Sequence, residues 1–440
     1  MSSLEQWIAR QWDHAAEMML KSISPVDIVK TRAHFGQVIV PKPGAVVASP
    51  VLAGYDPDPD YFFHWYRDSA VVIDALRLLL EEGSVGPEAR AHFGDFVRFS
   101  LSLQTLDGRT LIASPSWRAN VAADFTRFLR SDLELASVYG EAVVAETRVN
   151  PDGTLDISSW ARPQHDGAPL RALSLLRWAN RVSLDAELSA RVSALLCSDL
   201  AFTFKHWREP SFDIWEEEKG LHYYTLCVAA AALDEGAGWL RARGDVREAQ
   251  MYRAEGEAIR RALEEFWLPD EGYYRSRVLT SGARSAKELD IAVILAAVHA
   301  AGGGTAHCVH DPRMYATLAR LEALFDAAYA INQHRPSERG PAMGRYAGDV
   351  YYSGGAYYFS TLGAAEFCFR AAAGCEDAPS WIKRGDAYLQ TVRAFTPSNG
   401  ELSEQFDQRT GAQTSARHLA WSYAAFISCV SARRAVAGIR

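Results

Sequence analysis

The sequence predicts an all-α chain closed into a six-hairpin toroid, and three observations lead there. Apolar residues recur at three- and four-residue spacing nearly throughout, alternating strand patterns are few and short, and six connections rich in charged residues, five of them also bearing aromatics, each lead into an apolar helix. Helices are expected at 4–22, 69–82, 87–104, 121–145, 168–181, 185–206, 222–241, 246–266, 286–300, 312–328, 355–373, 379–395 and 415–437. No Pro/Ser-rich linker divides the 440 residues, so 1–440 is read as a single catalytic domain.

The decorated connections carry the functional signal. They are YFFHWYRDS (61–69), SSWARPQHDG (158–167), FDIWEEEKG (212–220), SGARSAKELD (281–290), GRYAGDVYYSGG (344–355) and LSEQFDQRTGAQTSAR (402–417). Exposed loops are usually small and polar. Any one of these could use its aromatics to staple a loop to a helix end. Six together fit a ring of helical hairpins whose loops gather at one end around a single pocket.

Composition narrows the partners. With 48% hydrophobic and 23% charged residues the chain can bury a large core. The net charge is −8, and no Lys/Arg cluster suggests a nucleic-acid or anionic-membrane surface. The opening MSSLEQWIARQWDHAAEMMLKSIS reads as an amphipathic helix, not a signal peptide, and no apolar run reaches the ~18 residues of a membrane span. Cytoplasmic residence is expected, with a periplasmic or secreted location as the alternative if a leader has been removed, and a monomer. The six cysteines form no CxxC pair, so no disulfide framework is expected. His307, Cys308 and His310 lack the second half of a zinc set, and neither a metal nor a cofactor is expected.

A pocket of aromatics, carboxylates, Arg and amides suits carbohydrate, because sugar rings offer C–H faces to Trp and Tyr and hydroxyls to polar groups. Glycosidic cleavage asks for two carboxylic acids with different tasks. FDIWEEEKG supplies Asp213, Glu216, Glu217 and Glu218; LSEQFD supplies Glu404 and Asp407. Acids before a helix also favour its positive end, so the triple Glu has an ordinary reading; the adjoining Trp215 tips it toward function. Arg67 and Asp68, beside Trp65, could form a local ion pair or grip sugar hydroxyls.

These motifs, in order and over essentially the whole chain, resemble the glucoamylases, family-15 glycoside hydrolases. LEQWIARQWDHAAEMMLKSI, GAVVASP, PDYFFHWYRDS, SWARPQHDG, DIWEE, GRYAGDVYY and LSEQFD followed by SARHLAWSY carry the likeness. The resemblance implies an (α/α)6 barrel and an inverting, exo-acting hydrolase that releases β-glucose from the non-reducing ends of α-glucans. It makes Glu216 the general acid and Glu404 the general base. It places Arg67 and Asp68 on the glucose to be released, with Tyr61 and Trp65 in the same wall. Trp160 and Trp215 stand beside the acid, Glu217 and Arg345 near the leaving sugar, Tyr351 in the GRYAGDVYY loop and Trp421 by the base.

Departures from the family pattern occur at Glu218, Lys219, Ser353, Gly355, Ala356, Tyr357, His165 and His418. Lys219 and Tyr357 point to short oligosaccharides, including α-1,6 links. The alternatives are therefore an isomaltose- or dextran-directed glucosidase or a trehalase; a phosphorylase or a non-catalytic sugar-binding protein fits less well. No starch-binding domain is expected, nor raw granular starch as a substrate. Finally, an acid protonated at working pH requires the Glu216 carboxyl to be raised relative to that of Glu404.

Overall fold

A computed structural model describes residues 3–54, 58–114, 116–301 and 306–438. Twelve helices of nine residues or more are found among the described residues. They are α1 (Ser3–Leu20), α2 (Tyr66–Glu81), α3 (Glu88–Leu103), α4 (Gly167–Arg181), α5 (Ala186–His206) and α6 (Tyr223–Ala242), then α7 (Val246–Leu263), α8 (Ala292–Ala300), α9 (Pro312–Ala328), α10 (Tyr358–Ala372), α11 (Ala378–Phe395) and α12 (Ala420–Ala437). The even-numbered helices form the inner ring: α2 packs on α4, α4 on α6, α6 on α8, α8 on α10, α10 on α12, and α12 returns to α2. The odd-numbered helices lie outside, and the chain opens with α1 docked on α12, where Trp7 meets Phe426 edge-on at 5.5 Å.

Sequence explains which helix lies where. Inner helices α6 and α10 are buried nearly all round: in α6 the run Thr225–Leu233 is buried without a break, and in α10 Tyr358–Phe369 is too. A helix apolar all round must be enclosed. Outer helices keep one buried stripe: α7 buries Ala249, Tyr252, Gly256, Ile259 and Leu263, spaced by three and four. Close inner–outer approach uses glycine where needed, since a Cβ on Gly385 of α11 would stand 2.5 Å from the Phe369 ring of α10.

Every inner helix is entered from one of the six decorated connections, so all six gather at the N-terminal ends of the inner ring. Several are pinned by two- to four-residue strands. His64–Trp65 pairs antiparallel with Arg148–Val149, Ser211–Phe212 with Lys219–His222, and Gln405–Phe406 lies between Ala356–Tyr357 and Gln413–Thr414.

One expected helix is absent. Residues 121–145 run instead as short turns, Ala123–Phe128, Asp132–Ala136 and Gly140–Ala145. Ser131 starts a new turn by accepting from the Glu134 N–H at 3.2 Å, while Arg130 turns inward to a buried two-pronged pair with Glu146 at 2.8 and 3.0 Å. Local capping and a buried charge pair override the apolar period there. The expected helices at 286–300 and 415–437 also start later, at Ala292 and Ala420, because the residues before them belong to the gathered loops.

Candidate active site

The loop Asp213–Glu218 closes the hairpin between Ser211–Phe212 and Lys219–His222. Its organiser is buried Asp213, whose carboxylate accepts backbone N–H bonds from Trp215 at 2.7 Å, Glu217 at 3.3 Å and Glu218 at 2.6 Å. Arg277, 3.5 Å away, balances its charge and helps hold its carboxyl below the usual range. At the tip Glu216 takes φ +66°, a left-handed conformation that non-glycine residues seldom adopt. That backbone aims its carboxylate back toward α2. There it accepts hydrogen bonds from Trp65 Nε1 at 2.7 Å and Arg67 Nη2 at 3.2 Å, and from Trp160 Nε1 at the rim. Arg148 fixes both tryptophans, with its guanidinium 4.8 Å from the Trp65 ring and 3.7 Å from that of Trp160.

Glu404 enters from the last connection. Its backbone N–H bonds to the Ala416 carbonyl at 2.7 Å, and its carboxylate accepts from Ser415 Oγ and, at 3.4 Å, from Tyr61 Oη. Tyr61 Oη also lies 2.7 Å from Tyr351 Oη. Burial pushes the Glu404 carboxyl from its ordinary 4.5 up to about 7, opposed by the Ser415 bond and by Arg345.

The floor is charged and buried. Arg67, at the start of α2, lies 3.2 Å from Asp68 and 3.6 Å from Asp166. Burial raises Asp166 to about 7, with Arg67 opposing, and raises Asp68 as well. Arg67 Nη1, Asp68 Oδ2 and Trp421 Nε1 are buried without a hydrogen-bond partner among the described residues. Buried polar atoms of this kind call for a polar ligand or water, and a ring of sugar hydroxyls meets that demand. On the far wall Arg345 grips Asp349 through two bonds of 2.7 and 2.6 Å and reaches Glu217 at 3.1 Å. Glu217 is held further by Tyr346 Oη and by Lys287 Nζ, 2.7 Å each. Trp215 stacks toward Phe359 at 5.9 Å and Trp421 at 6.4 Å.

All twelve expected residues, Tyr61, Trp65, Arg67, Asp68, Trp160, Trp215, Glu216, Glu217, Arg345, Tyr351, Glu404 and Trp421, line one cavity of about 250 Å³. Ala48, Ile214, Phe359 and Leu419 line it too and were not singled out, although Ala48, Ile214 and Leu419 lie in the GAVVASP, DIWEE and SARHLAWSY motifs. Asp349 was legible in principle as the i+4 partner of Arg345. The loops holding Glu216 and Glu404 lead into α6 and α12, three places apart in a ring of six and thus across it from one another.

The sequence matches a known family. The profile described as Glycosyl hydrolases family 15 matches residues 28–94, 144–384 and 381–431. The chain belongs to that family. It is a glycoside hydrolase with the family's (α/α)6 barrel. A probable glucoamylase of Schizosaccharomyces pombe is 28% identical, the alignment covering 99% of this chain and 93% of the relative. Among solved structures, the Hormoconis resinae glucoamylase superposes with a TM-score of 0.77 at 26% identity, covering 100% of this chain and 74% of that one. The Hypocrea jecorina family-15 glucoamylase gives 0.79 at 23%, covering 99% and 73%.

Two expectations are corrected within the family-15 site. Burial raises the carboxyl of Glu404, the one expected to ionise more easily, while the oxygens of Glu216 face three N–H donors at the pocket wall. Tyr357 does not face the pocket: it is fully buried, its hydroxyl donating to Asp349 at 3.1 Å and accepting from Gln405 Nε2 at 2.7 Å, and Lys219 is exposed on its strand. Tyr357 packs behind Arg345 and Phe359, and neither residue itself lines the cavity, so neither supports a preference for α-1,6 links.

Proposed function

We propose that the chain is a glucan 1,4-α-glucosidase that removes single glucose units from the non-reducing ends of malto-oligosaccharides and related α-glucans, with inversion. The carrying observation is that Glu216 and Glu404, on loops of opposite inner helices, line one pocket whose floor holds buried Arg67 Nη1, Asp68 Oδ2 and Trp421 Nε1 atoms without a hydrogen-bond partner among the described residues. A pocket entered from one side accepts a chain end, which accounts for exo action. The terminal ring lies on the Arg67–Asp68 floor between the tryptophans. Glu216, in its protonated form, delivers a proton to the glycosidic oxygen, and Glu404, ionised, takes one from a water attacking the opposite face of the sugar. Trp160 and Trp65 orient the Glu216 carboxyl, and Arg345 with Glu217 meets the departing sugar.

An inverting pair leaves room for water, roughly 6.5–9.5 Å between carboxyls, whereas a nucleophile needs about 5–5.5 Å. Placement on loops of opposite inner helices supports the wider gap. Proton NMR of fresh maltose digests reads the outcome before mutarotation. β-Glucose should appear first; α-glucose first would mean retention and remove Glu404 from the role of base.

A further inference from the structure

A second cavity, of about 700 Å³, lies away from the two carboxylates, between the N-terminal hairpin Lys30–Arg32/Gln37–Ile39 and the short helices Gly108–Ala113 and Ser116–Ala119. Its floor is apolar: Phe35 and Ile157 belong to a small cluster separate from the barrel core, with Trp117 half-buried against it. Its walls are polar: Thr105, Asp107, Ser114, Ser116 and Thr154 are already hydrogen-bonded, and four other side chains keep hydrogen-bonding capacity. The side-chain amides of Gln37 and Asn120 and the hydroxyl of Thr110 make no hydrogen bond among the described residues, and Asp152 uses only Oδ1, toward Thr154. The two walls are locked together. Ala122 N–H bonds to the His34 carbonyl at 2.9 Å, and Gly36, at φ +62°, approaches so closely that a Cβ would stand 2.5 Å from that of Asn120. Residues 95–143, which build the outer wall, fall outside the family match.

The Trp117 ring, with the Arg118 guanidinium 4.5 Å from its centroid, stands among free amide, hydroxyl and carboxylate groups, and an aromatic with such neighbours is the chemistry of sugar recognition. Its position points to the same polymer the pocket cuts. The segment that gives the groove Leu155 and Ile157 continues to Trp160 at the rim of the catalytic pocket, three residues and at most about 10 Å further on. We propose that this groove is a second carbohydrate-binding site, holding a stretch of α-glucan chain against Trp117 beside the mouth. The ligand class rests on the α-glucan reading above; the site itself does not.

β-Cyclodextrin separates the two. It is an α-1,4-glucan without a non-reducing end, so it cannot thread a chain terminus into the catalytic pocket. Calorimetric titration of the intact enzyme should show one equivalent bound, undisturbed by glucose. Trp117→Ala should weaken binding by about tenfold or more, and Trp117→Phe should largely restore it. Because Trp117 packs on Phe35 and Ile157, the double variant Gln37→Ala/Asn120→Ala, which removes no internal hydrogen bond, provides an independent arm and should weaken binding about threefold or more. Maltose kcat/KM should stay unchanged in all of them. Absence of cyclodextrin binding, competition by glucose, or variants that bind like the parent would overturn the site. So would a dimer that Trp117→Ala dissociates in place of cyclodextrin binding, since the groove would then hold a second copy. Failure of maltose hydrolysis by the parent would instead strike the catalytic reading and leave the binding result standing.

Discussion

Replacing Glu404 by Gln should abolish hydrolysis and at the same time stabilise the fold above neutral pH. The carboxyl is buried and sits at about 7, against an ordinary 4.5 that the unfolded chain retains. Below about pH 4.5 both states hold the proton and the site adds no pH dependence. Between about 4.5 and 7 the unfolded chain ionises while the native pocket keeps its proton, so native stability falls as pH rises. Above about 7 the loss is complete, at ~3 kcal/mol by the standard conversion. The neutral amide of the Glu404→Gln variant carries no such burden. With an unfolding entropy near 2.1 cal/mol/K per residue, the 440-residue chain changes by roughly 0.9 kcal/mol/K, so the variant should melt about 3–4 °C higher at alkaline pH and level with the parent in acid. Asp166, raised to about 7, and Asp290, raised to about 6, titrate in the same window in both proteins. The readout is therefore the difference between the two Tm–pH curves, followed by circular dichroism. A flat difference from about pH 4 to about pH 9 would refute burial as the source of the raised carboxyl.

Activity should carry the same signature. With Glu404 as base, kcat/KM for maltose should climb with pH through a limb near 7, and Ser415→Ala, which removes a donor to the carboxylate, should move that limb upward in a pH–rate profile. Glu216→Gln should lower the rate on maltose by about 10²–10⁴-fold yet cost far less on α-glucosyl fluoride, whose leaving group needs no proton; equal losses would exclude Glu216 as the acid. Asp213→Ala strips three backbone N–H groups of their acceptor and leaves Arg277 without one of its buried carboxylates. It should destabilise the protein by about 3 kcal/mol in urea titrations and depress kcat more than it raises KM, because the loop it releases holds Glu216.

The site was legible in sequence because each of its parts is local. Arg67 follows Trp65 by two residues on the first turn of an inner helix, and Glu216 adjoins Trp215 on one hairpin loop, so a short motif already fixes which side chains travel together. Six such motifs, each feeding an apolar helix, imply the ring. What stayed hidden depends on pairing between distant segments. Ser415 reaches Glu404 only because Gln405–Phe406 pairs with Gln413–Thr414. Tyr357 stands in a motif next to the pocket, but one strand pairing turns its ring into the wall. Glu404 is raised because burial, which no motif records, outweighs the hydrogen bond from Ser415. The 121–145 stretch misleads for a related reason: its apolar period is helical, while Arg130 answers to Glu146, sixteen residues away.

Both carboxylates are placed by a backbone that a free chain would avoid. Glu216 stands at φ +66° and Ser415, the hydroxyl donor to Glu404, at φ +65°. For residues with a Cβ this region costs of order 1–3 kcal/mol apiece and persists only where the surroundings over-determine it. Those surroundings are visible in each case. Around Glu216, three N–H bonds to Asp213 and the strands on either side leave the loop no alternative path. Around Ser415, Thr414 is held in register with Gln405 on one side and the Ala416 carbonyl accepts the Glu404 N–H on the other. A glycine at either position would relieve the backbone but remove the carboxylate at 216 or the hydroxyl that donates to Glu404 at 415. The strain thus sits at the two pocket carboxylates, and the short strands of this all-α fold are what sustain it.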